Sequence, residues 1–231
     1  MIERYLVQGS TFAGDIDGII TLIALIVGFW FILAELLLVG LVVRFRRRDG
    51  DGAQYVTGES WSQMRWVVIP LALIVLCDIF IALQDGAVWT KVKENLPEGG
   101  RVVRVIGQQW AWTFVHPGSD GEIGTADDIA MNDELHLEVD TLYHYKLESR
   151  DVLHNFSVPI FRLKQDAIPG RVITGWFQPT TTGTYDIQCA EICGIGHGMM
   201  PARAIIESPT EHAAWMQSHA SVAIAAAAVE E

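Results

Sequence analysis

Two long apolar runs constrain this chain before any other feature does. Gly18 to Val43 is 26 residues with one charge, Glu35, and Trp66 to Leu83 is 18 residues with one charge, Asp78. A helix rising 1.5 Å per residue over the first run exceeds the ~30 Å hydrocarbon core of a bilayer, and the second run sits near the lower limit for a span. Pro70 falls in the first turns of the second run, where a missing N–H costs least. A secretory leader is the alternative for the first run, but the run is too long and no basic stretch precedes it. Composition agrees with membrane residence: 50% of residues are hydrophobic and only 19% charged, against about 25% charged in an ordinary soluble domain. The net charge of −12 argues against a nucleic-acid partner, which wants a basic face. Three cysteines do not make a fully paired disulfide framework.

Arginines set the expected orientation. Arg44, Arg46, Arg47, Arg48 and Arg65 lie between the runs, whereas the first 17 residues carry only Arg4. The positive-inside rule places the loop in the cytoplasm and both termini, with everything after Gln84, outside. Glu35 and Asp78 are costly in hydrocarbon unless they face protein or water. Two readings stand: a proton path or partner contact, and a neutral hydrogen-bonded acid at a helix interface. Both point to a larger membrane partner. Cys77 reads as span packing.

From Arg101 onward the hydrophobic period becomes two. Alternation runs through Arg101–Trp112, then Leu135, Leu137 and Val139, then Tyr143, Tyr145 and Leu147, then Arg171–Phe177 and Thr184–Gln188. His116-Pro117-Gly118, Ile168-Pro169-Gly170 and Thr182-Gly183 separate these segments. Short strands at such spacing predict an antiparallel sandwich or barrel of about 100 residues. Val88–Leu96 reads as a short helix leaving the membrane. Ser208-Pro209-Thr210-Glu211 predicts a capping box opening a last helix, and Ala220–Val229 an alanine-rich, fraying tail.

The chemistry concentrates in Cys189-Ala-Glu191-Ile-Cys193-Gly-Ile-Gly-His197-Gly-Met-Met200. Two thiols, an imidazole and a thioether fall within one short loop, and Gly194, Gly196 and Gly198 let the backbone fold tightly. Soft sulfur with imidazole selects copper or zinc, and a thioether points to copper. His154 in Asp151-Val-Leu-His154 is the candidate second imidazole. Two thiolates bridging two coppers would use every one of these ligands and keep reorganisation on reduction small. Two alternatives remain: a Cys189–Cys193 disulfide with an unrelated His and Met, and a C-x3-C motif on a thioredoxin-like fold, which requires βαβ alternation.

At this point the chain resembles subunit II of haem–copper cytochrome c oxidases, over Ile16 to Trp215. The C-x-E-x-C-x3-H-x2-M run carries the resemblance. Gly107-Gln-Gln-Trp110-Ala-Trp112, Asp151-Val-Leu-His154 and Asp166-Ala-Ile-Pro-Gly170-Arg171 support it in order. The resemblance implies a membrane-anchored all-β protein: a two-helix transmembrane hairpin followed by a cupredoxin-like Greek-key sandwich or barrel. The implied divisions are an outer-side segment 1–17, a hairpin 18–84 with cytoplasmic loop 44–65, a linker 85–100, a dinuclear-copper (CuA) domain 101–207, and a terminal helix and tail 208–231. It implies that Cys189 and Cys193 bridge two copper ions, that His154 and His197 each supply an imidazole, and that Met200 supplies a weak thioether. Glu191 would give its backbone carbonyl to copper and its side chain to a Mg²⁺ or Mn²⁺ shared with subunit I. Trp110 would be the electron entry point from cytochrome c. The implied partners are subunits I, with its haems, and III, together with membrane lipid in a bacterial plasma (inner) membrane. The oxygen-reducing site would lie on subunit I.

The chain departs from the family pattern in places. Ala111 stands between the tryptophans where the family often has Tyr. Gln63 occupies the position, three before Trp66, where many members carry a proton-channel Glu, and Glu59 is the nearest substitute, one turn earlier. No C-x-x-C-H haem-attachment motif occurs. A nitric oxide reductase subunit and, from a different class, a membrane-anchored copper chaperone are the competing functions. The insert Gly118–Asp133, with Asp120, Glu122, Asp127 and Asp128, reads as a Ca²⁺ loop, a docking patch or a solvated hairpin. His116, His136, His144, His212 and His219 have no assigned ligand role.

Overall fold

The computed structural model describes residues 7–48, 52 and 55–227, with the side chains of 221–227 left out. Arg4, part of the loop 44–65 and the last residues of the tail lie outside the described residues. The chain forms two units, one of residues 17–90 and one of residues 1–16 and 91–231.

In the first unit, helix α1 spans Ala13–Arg44 and α2 spans Trp61–Trp89. No residue of α2 is buried, and α1 exposes Leu25, Phe29, Phe31, Leu36, Leu37 and Leu41. Helices apolar on all sides find their solvent in lipid or in another protein. α2 begins at Trp61, five residues before its apolar run, because the backbone hydrogen-bond ladder already starts there, with Gln63 N–H and Met64 N–H donating to Ser60 O. Pro70 is therefore inside the helix and not in its first turns. Glu59 precedes the N-cap Ser60, so it does not lie one helical turn before Gln63 on the helix. Gln63 instead turns back, its Oε1 accepting from the Gly58 N–H at 2.8 Å. The expected exit helix is continuous with α2, passing into a π-helical turn at Thr90–Glu94.

The second unit is two five-stranded sheets. Strands β1 (Arg101–Gln108), β2 (Ala111–His116), β3 (Ile129–Asn132), β5 (Tyr143–Ser149) and β8 (Ile173–Phe177) form one, in the order β3-β2-β1-β5-β8. Strands β4 (Glu134–Glu138), β6 (His154–Val158), β7 (Leu163–Ala167), β9 (Gly183–Cys189) and β10 (Ala202–Glu207) form the other, in the order β4-β10-β9-β6-β7. Period-two patterning places Tyr143, Tyr145 and Leu147 inward from β5, facing Phe156 and Phe177. Tyr145 pairs with Gly175, and only a residue without Cβ leaves room for its phenol. The sheets are not purely antiparallel: β1–β5 and β10–β4 are parallel. The predicted Arg101–Trp112 strand is two strands, broken by the turn that carries Trp110.

Residues 8–12 are bonded into this β unit. Gly9 N–H donates to Ile160 O, Thr11 N–H to Gln178 O, and Thr180 N–H to Gly9 O. Ser10 Oγ donates to Phe161 O at 3.0 Å, and Phe12 is fully buried against Trp176, ring centroids 5.1 Å apart. The acidic insert is self-knitted. Asp127 accepts from Ser119 and Thr125, which hold its carboxyl down to about 2, and Asp128 accepts from the Gly124 N–H.

Helix α3 (Pro209–Ala227) opens on the expected capping box, Ser208 N–H donating to Glu211 Oε2 at 2.9 Å. It is pinned by Trp215, around which four of the five unassigned histidines gather. His136 stacks on the indole at 4.2 Å, and His116, His212 and His219 approach within 5.6 Å. Glu207 bridges His136 and His212 through their Nδ1 atoms at 3.0 and 2.9 Å. Burial, and then the neighbouring His136, His212 and His219, push His116 down to about 3. The unfolded chain takes up that proton near pH 6.5, the folded chain only near 3, so stability is lost as pH falls between those values. In thermal unfolding across pH 3 to 8, wild type should lose about 1.4 kcal/mol per pH unit from this site inside the window. His116→Leu should flatten that slope and leave the behaviour above pH 7 unchanged.

Candidate metal centre

The pairing of β6 with β9 builds the site. Phe156 stands opposite Cys189, and Ala190 N–H donates to Asn155 O. This brings His154, at the start of β6, beside Cys189, at the end of β9, although 35 residues separate them. The loop from Ala190 to Pro201 then returns Cys193, His197 and Met200 to the same edge before β10 begins.

The donors are close to one another. Cys189 Sγ lies 3.9 Å from His154 Nδ1, 3.8 Å from Cys193 Sγ and 3.3 Å from Glu191 O. Cys193 Sγ lies 3.5 Å from His197 Nδ1 and 3.4 Å from Met200 Sδ. Two donors on one ion, with bonds of about 2.0–2.3 Å, stand roughly 3.5 Å apart. The described residues thus bring together all six predicted metal-binding positions, and the soft S/N set suits copper. His154, Cys193 and Met200 are buried, Cys189 and His197 half-buried. A sulfur separation of 3.8 Å is far beyond the ~2.05 Å of a disulfide, and both cysteines are free. The β-sandwich also removes the thioredoxin-like reading, which needs βαβ units. Burial, and next the adjacent Cys189 sulfur, push the Cys193 thiol up, and a metal ion bound there would displace its proton.

Asp151 orders one end of the centre. Its Oδ1 faces His154 Nε2 at 2.9 Å and its Oδ2 accepts from Gln109 N–H at 2.7 Å. Burial raises the Asp151 carboxyl, but the bonds from His154, Gln109 and Val152 outweigh it and hold the group below its ordinary value. A carboxylate only accepts, so Nε2 is the nitrogen that donates to Asp151, and Nδ1 is the one that faces Cys189. Trp112, fully buried, packs edge-on against the same imidazole, centroids 5.9 Å apart. Asp151 and Gln109 both stand in motifs quoted from the sequence, Asp151-Val-Leu-His154 and Gly107-Gln-Gln-Trp110, but neither motif indicated the bonds these two residues make.

Trp110 is 39% exposed, and its indole lies over the ligand loop. A Cβ on Gly196 would penetrate the Trp110 ring, whereas Gly198 has open space. Gly194 adopts φ +123°, a conformation that glycine takes without strain. Exposed Ile192, Ile195 and Met199 surround this face.

Fold and site together define a two-sheet β domain whose sulfur and imidazole donor set suits copper, in a chain with two long apolar helices. Residues 101–208 match the model for "Cytochrome C oxidase subunit II, periplasmic domain". The chain is 33% identical over 232 residues to the alternative cytochrome c oxidase subunit 2 of Bradyrhizobium diazoefficiens, covering 91% of this chain and 82% of that one. It is 42% identical over 124 residues to cytochrome c oxidase subunit 2 of Thermostichus vulcanus, covering 54% of this chain and 35% of that one. Among solved structures, the periplasmic domain of subunit II of cytochrome oxidase from Bradyrhizobium japonicum superposes with a TM-score of 0.49 at 26% identity, covering 54% of this chain and 96% of that one. The chain belongs to the cytochrome c oxidase subunit II family.

The two glycines give a paired test of the loop. Gly196→Ala should lower the unfolding free energy of the domain by about 1–3 kcal/mol through overpacking against Trp110. Gly198→Ala should leave it within about 0.5 kcal/mol of wild type. Chemical denaturation of the full chain in detergent measures both.

Proposed function

We propose that this chain is the electron-entry subunit of a respiratory cytochrome c oxidase. The observation that carries the reading is the convergence of five soft side-chain donors and the Glu191 carbonyl at one sheet edge, beneath Trp110. Cys189, Cys193, His154, His197 and Met200 would hold two copper ions. When bound, the copper pair supplies a one-electron couple whose charge is shared by two metals. The protein's own part is to hold that set still. Asp151 fixes the tautomer and angle of His154, Trp112 packs the ring, and burial of Cys193 and Met200 keeps water from the sulfurs. Low motion of the ligands between oxidation states is what fast transfer requires.

Cytochrome c is the proposed donor and the haem of subunit I the proposed acceptor, with oxygen reduced to water and protons translocated in the partner. The Glu191 side chain is proposed for a Mg²⁺ or Mn²⁺ shared with subunit I, and subunit III as a further neighbour. The segment Gln8–Phe12 is sewn to the β unit, which supports an even number of crossings between them and both termini on the outer side. Arg44, Arg46, Arg47 and Arg48 are then cytoplasmic, as the positive-inside rule requires. Glu35 and Asp78 are exposed on their helices, which supports contact with another membrane subunit, since carboxyl groups do not face lipid cheaply.

Copper ligation is tested by substitution in the full chain. Cys193→Ser should abolish the seven-line electron-spin signal of an electron shared by two equivalent copper nuclei, because a hydroxyl is a poor soft-metal ligand. Met200→Leu should retain two coppers with a shifted potential. A full two-copper signal from Cys193→Ser would overturn the assignment.

Electron entry is tested by kinetics. Residues 85–231 carry 20 acidic and 10 basic side chains, a surface that steers a basic donor and is screened over about 10 Å at 0.1 M salt. Trp110→Ala should slow copper reduction at least tenfold with little change in donor affinity. Glu122→Gln, exposed and outside the bonds that knit Asp127 and Asp128 into the insert, should weaken association and flatten its salt dependence. Stopped-flow reduction by a cationic cytochrome c over a salt series separates these effects. Rates independent of salt, or a wild-type rate in Trp110→Ala, would remove the corresponding claim.

A further inference from the structure

We propose that Gln109 is a positioning residue for the metal centre, fastening both ligand-bearing segments to the turn that carries Trp110. The proposal rests on the copper reading above and assigns a role to a residue outside the ligand set. Gln109 follows β1 and immediately precedes Trp110. Its backbone N–H donates to Asp151 Oδ2 at 2.7 Å, and its side-chain Nε2 donates to the Cys193 carbonyl at 2.8 Å. Asp151 in turn holds His154 Nε2 with its other oxygen. One residue of the β1–β2 turn thus reaches the holder of one imidazole and the backbone of one thiolate.

The loop is shaped to receive that amide. Gly194 follows Cys193 directly, and a Cβ there would stand 2.9 Å from Gln109 Nε2 and 3.2 Å from the Trp110 ring. The close approach needs glycine, and φ +123° at Gly194 supplies the backbone path. His154 and Cys193 are 39 positions apart, on different segments, and neither segment alone sets their separation. With Gln109 bonded to both, a displacement of one is passed to the other and to Trp110. Groups that bond to ligands or their holders typically change metal affinity by about 10–100-fold when removed.

The test uses the full chain in detergent, loaded with copper. Gln109→Met keeps the length of the side chain and the N–H bond to Asp151 while deleting the donor to Cys193. It should release copper to a chelator on the order of tenfold faster than wild type and alter the copper hyperfine pattern, with Kd for the donor unchanged and the single-turnover reduction rate lowered. Gln109→Glu, nearly isosteric, should show the same release and, by adding negative charge, a lowered potential. Gln108→Met, next to it but bonded through its side chain to Arg150, is the control for general loosening of the turn. Wild-type release and hyperfine in both Gln109 variants, or an equal change in Gln108→Met, would overturn the proposal. A wild-type chain without the seven-line signal would sink the copper reading itself, and this proposal with it.

Discussion

Two residue pairs of one ladder decide whether this protein has a metal centre. Strands β6 and β9 meet at Phe156–Cys189 and Ser157–Gln188, and that short contact places His154 beside Cys189. A shift of one residue would turn His154 to the opposite face of its sheet, because side chains alternate along a strand. The register is secured from within, by Phe156 packing on Trp112, Phe114 and Tyr145, and from the outer side by β7 along the whole of β6. Aromatic packing in the core therefore fixes the position of a ligand at the edge.

How much of this could be seen in the sequence depended on distance along the chain. Cys189, Cys193, His197 and Met200 lie within twelve residues, so their spacing alone revealed a soft-metal site, whereas the part of Glu191 came only with the family resemblance. His154 was named as the second imidazole that the ligand set required, and its partner Asp151 was quoted only as its neighbour in Asp151-Val-Leu-His154. Gln109 was likewise quoted only inside Gly107-Gln-Gln-Trp110, and its part was not legible because its two bonds reach residues 42 and 84 positions away. The alternating strands β5 and β9 were legible. Strand β6, buried on both faces, and β7, with Lys164, Gln165 and Asp166 in its middle, do not alternate in hydrophobicity and were missed. Period two also carries no strand direction, so the parallel pairs β1–β5 and β10–β4 could not be anticipated.

Helix ends were misjudged for a related reason. The apolar runs mark what meets hydrocarbon, whereas the helices follow their hydrogen bonds into polar sequence. α2 therefore extends beyond its run at both ends, taking in Gln63 and Arg65 before it and Gln84 and Asp85 after it. The histidines were legible as residues but not as a group. His116, His136, His212 and His219 come from two strands and a helix, and only the packing of Trp215 collects them.

The stitched N-terminal segment has a consequence for biogenesis. Ser10 bonds to a residue 151 positions later, and Gln8 and Gly9 to Thr180. Translation delivers the chain from its N-terminus, so α1 enters the bilayer long before Phe161 and Thr180 exist. Residues 8–12 find these partners only once the strands and turns around 160–180 have been made and folded. Non-local pairing of this kind is slow to form. The bonds of Gln8–Phe12 are thus among the last steps of maturation, and shortening or displacing that segment would be felt as a defect of assembly rather than of electron transfer.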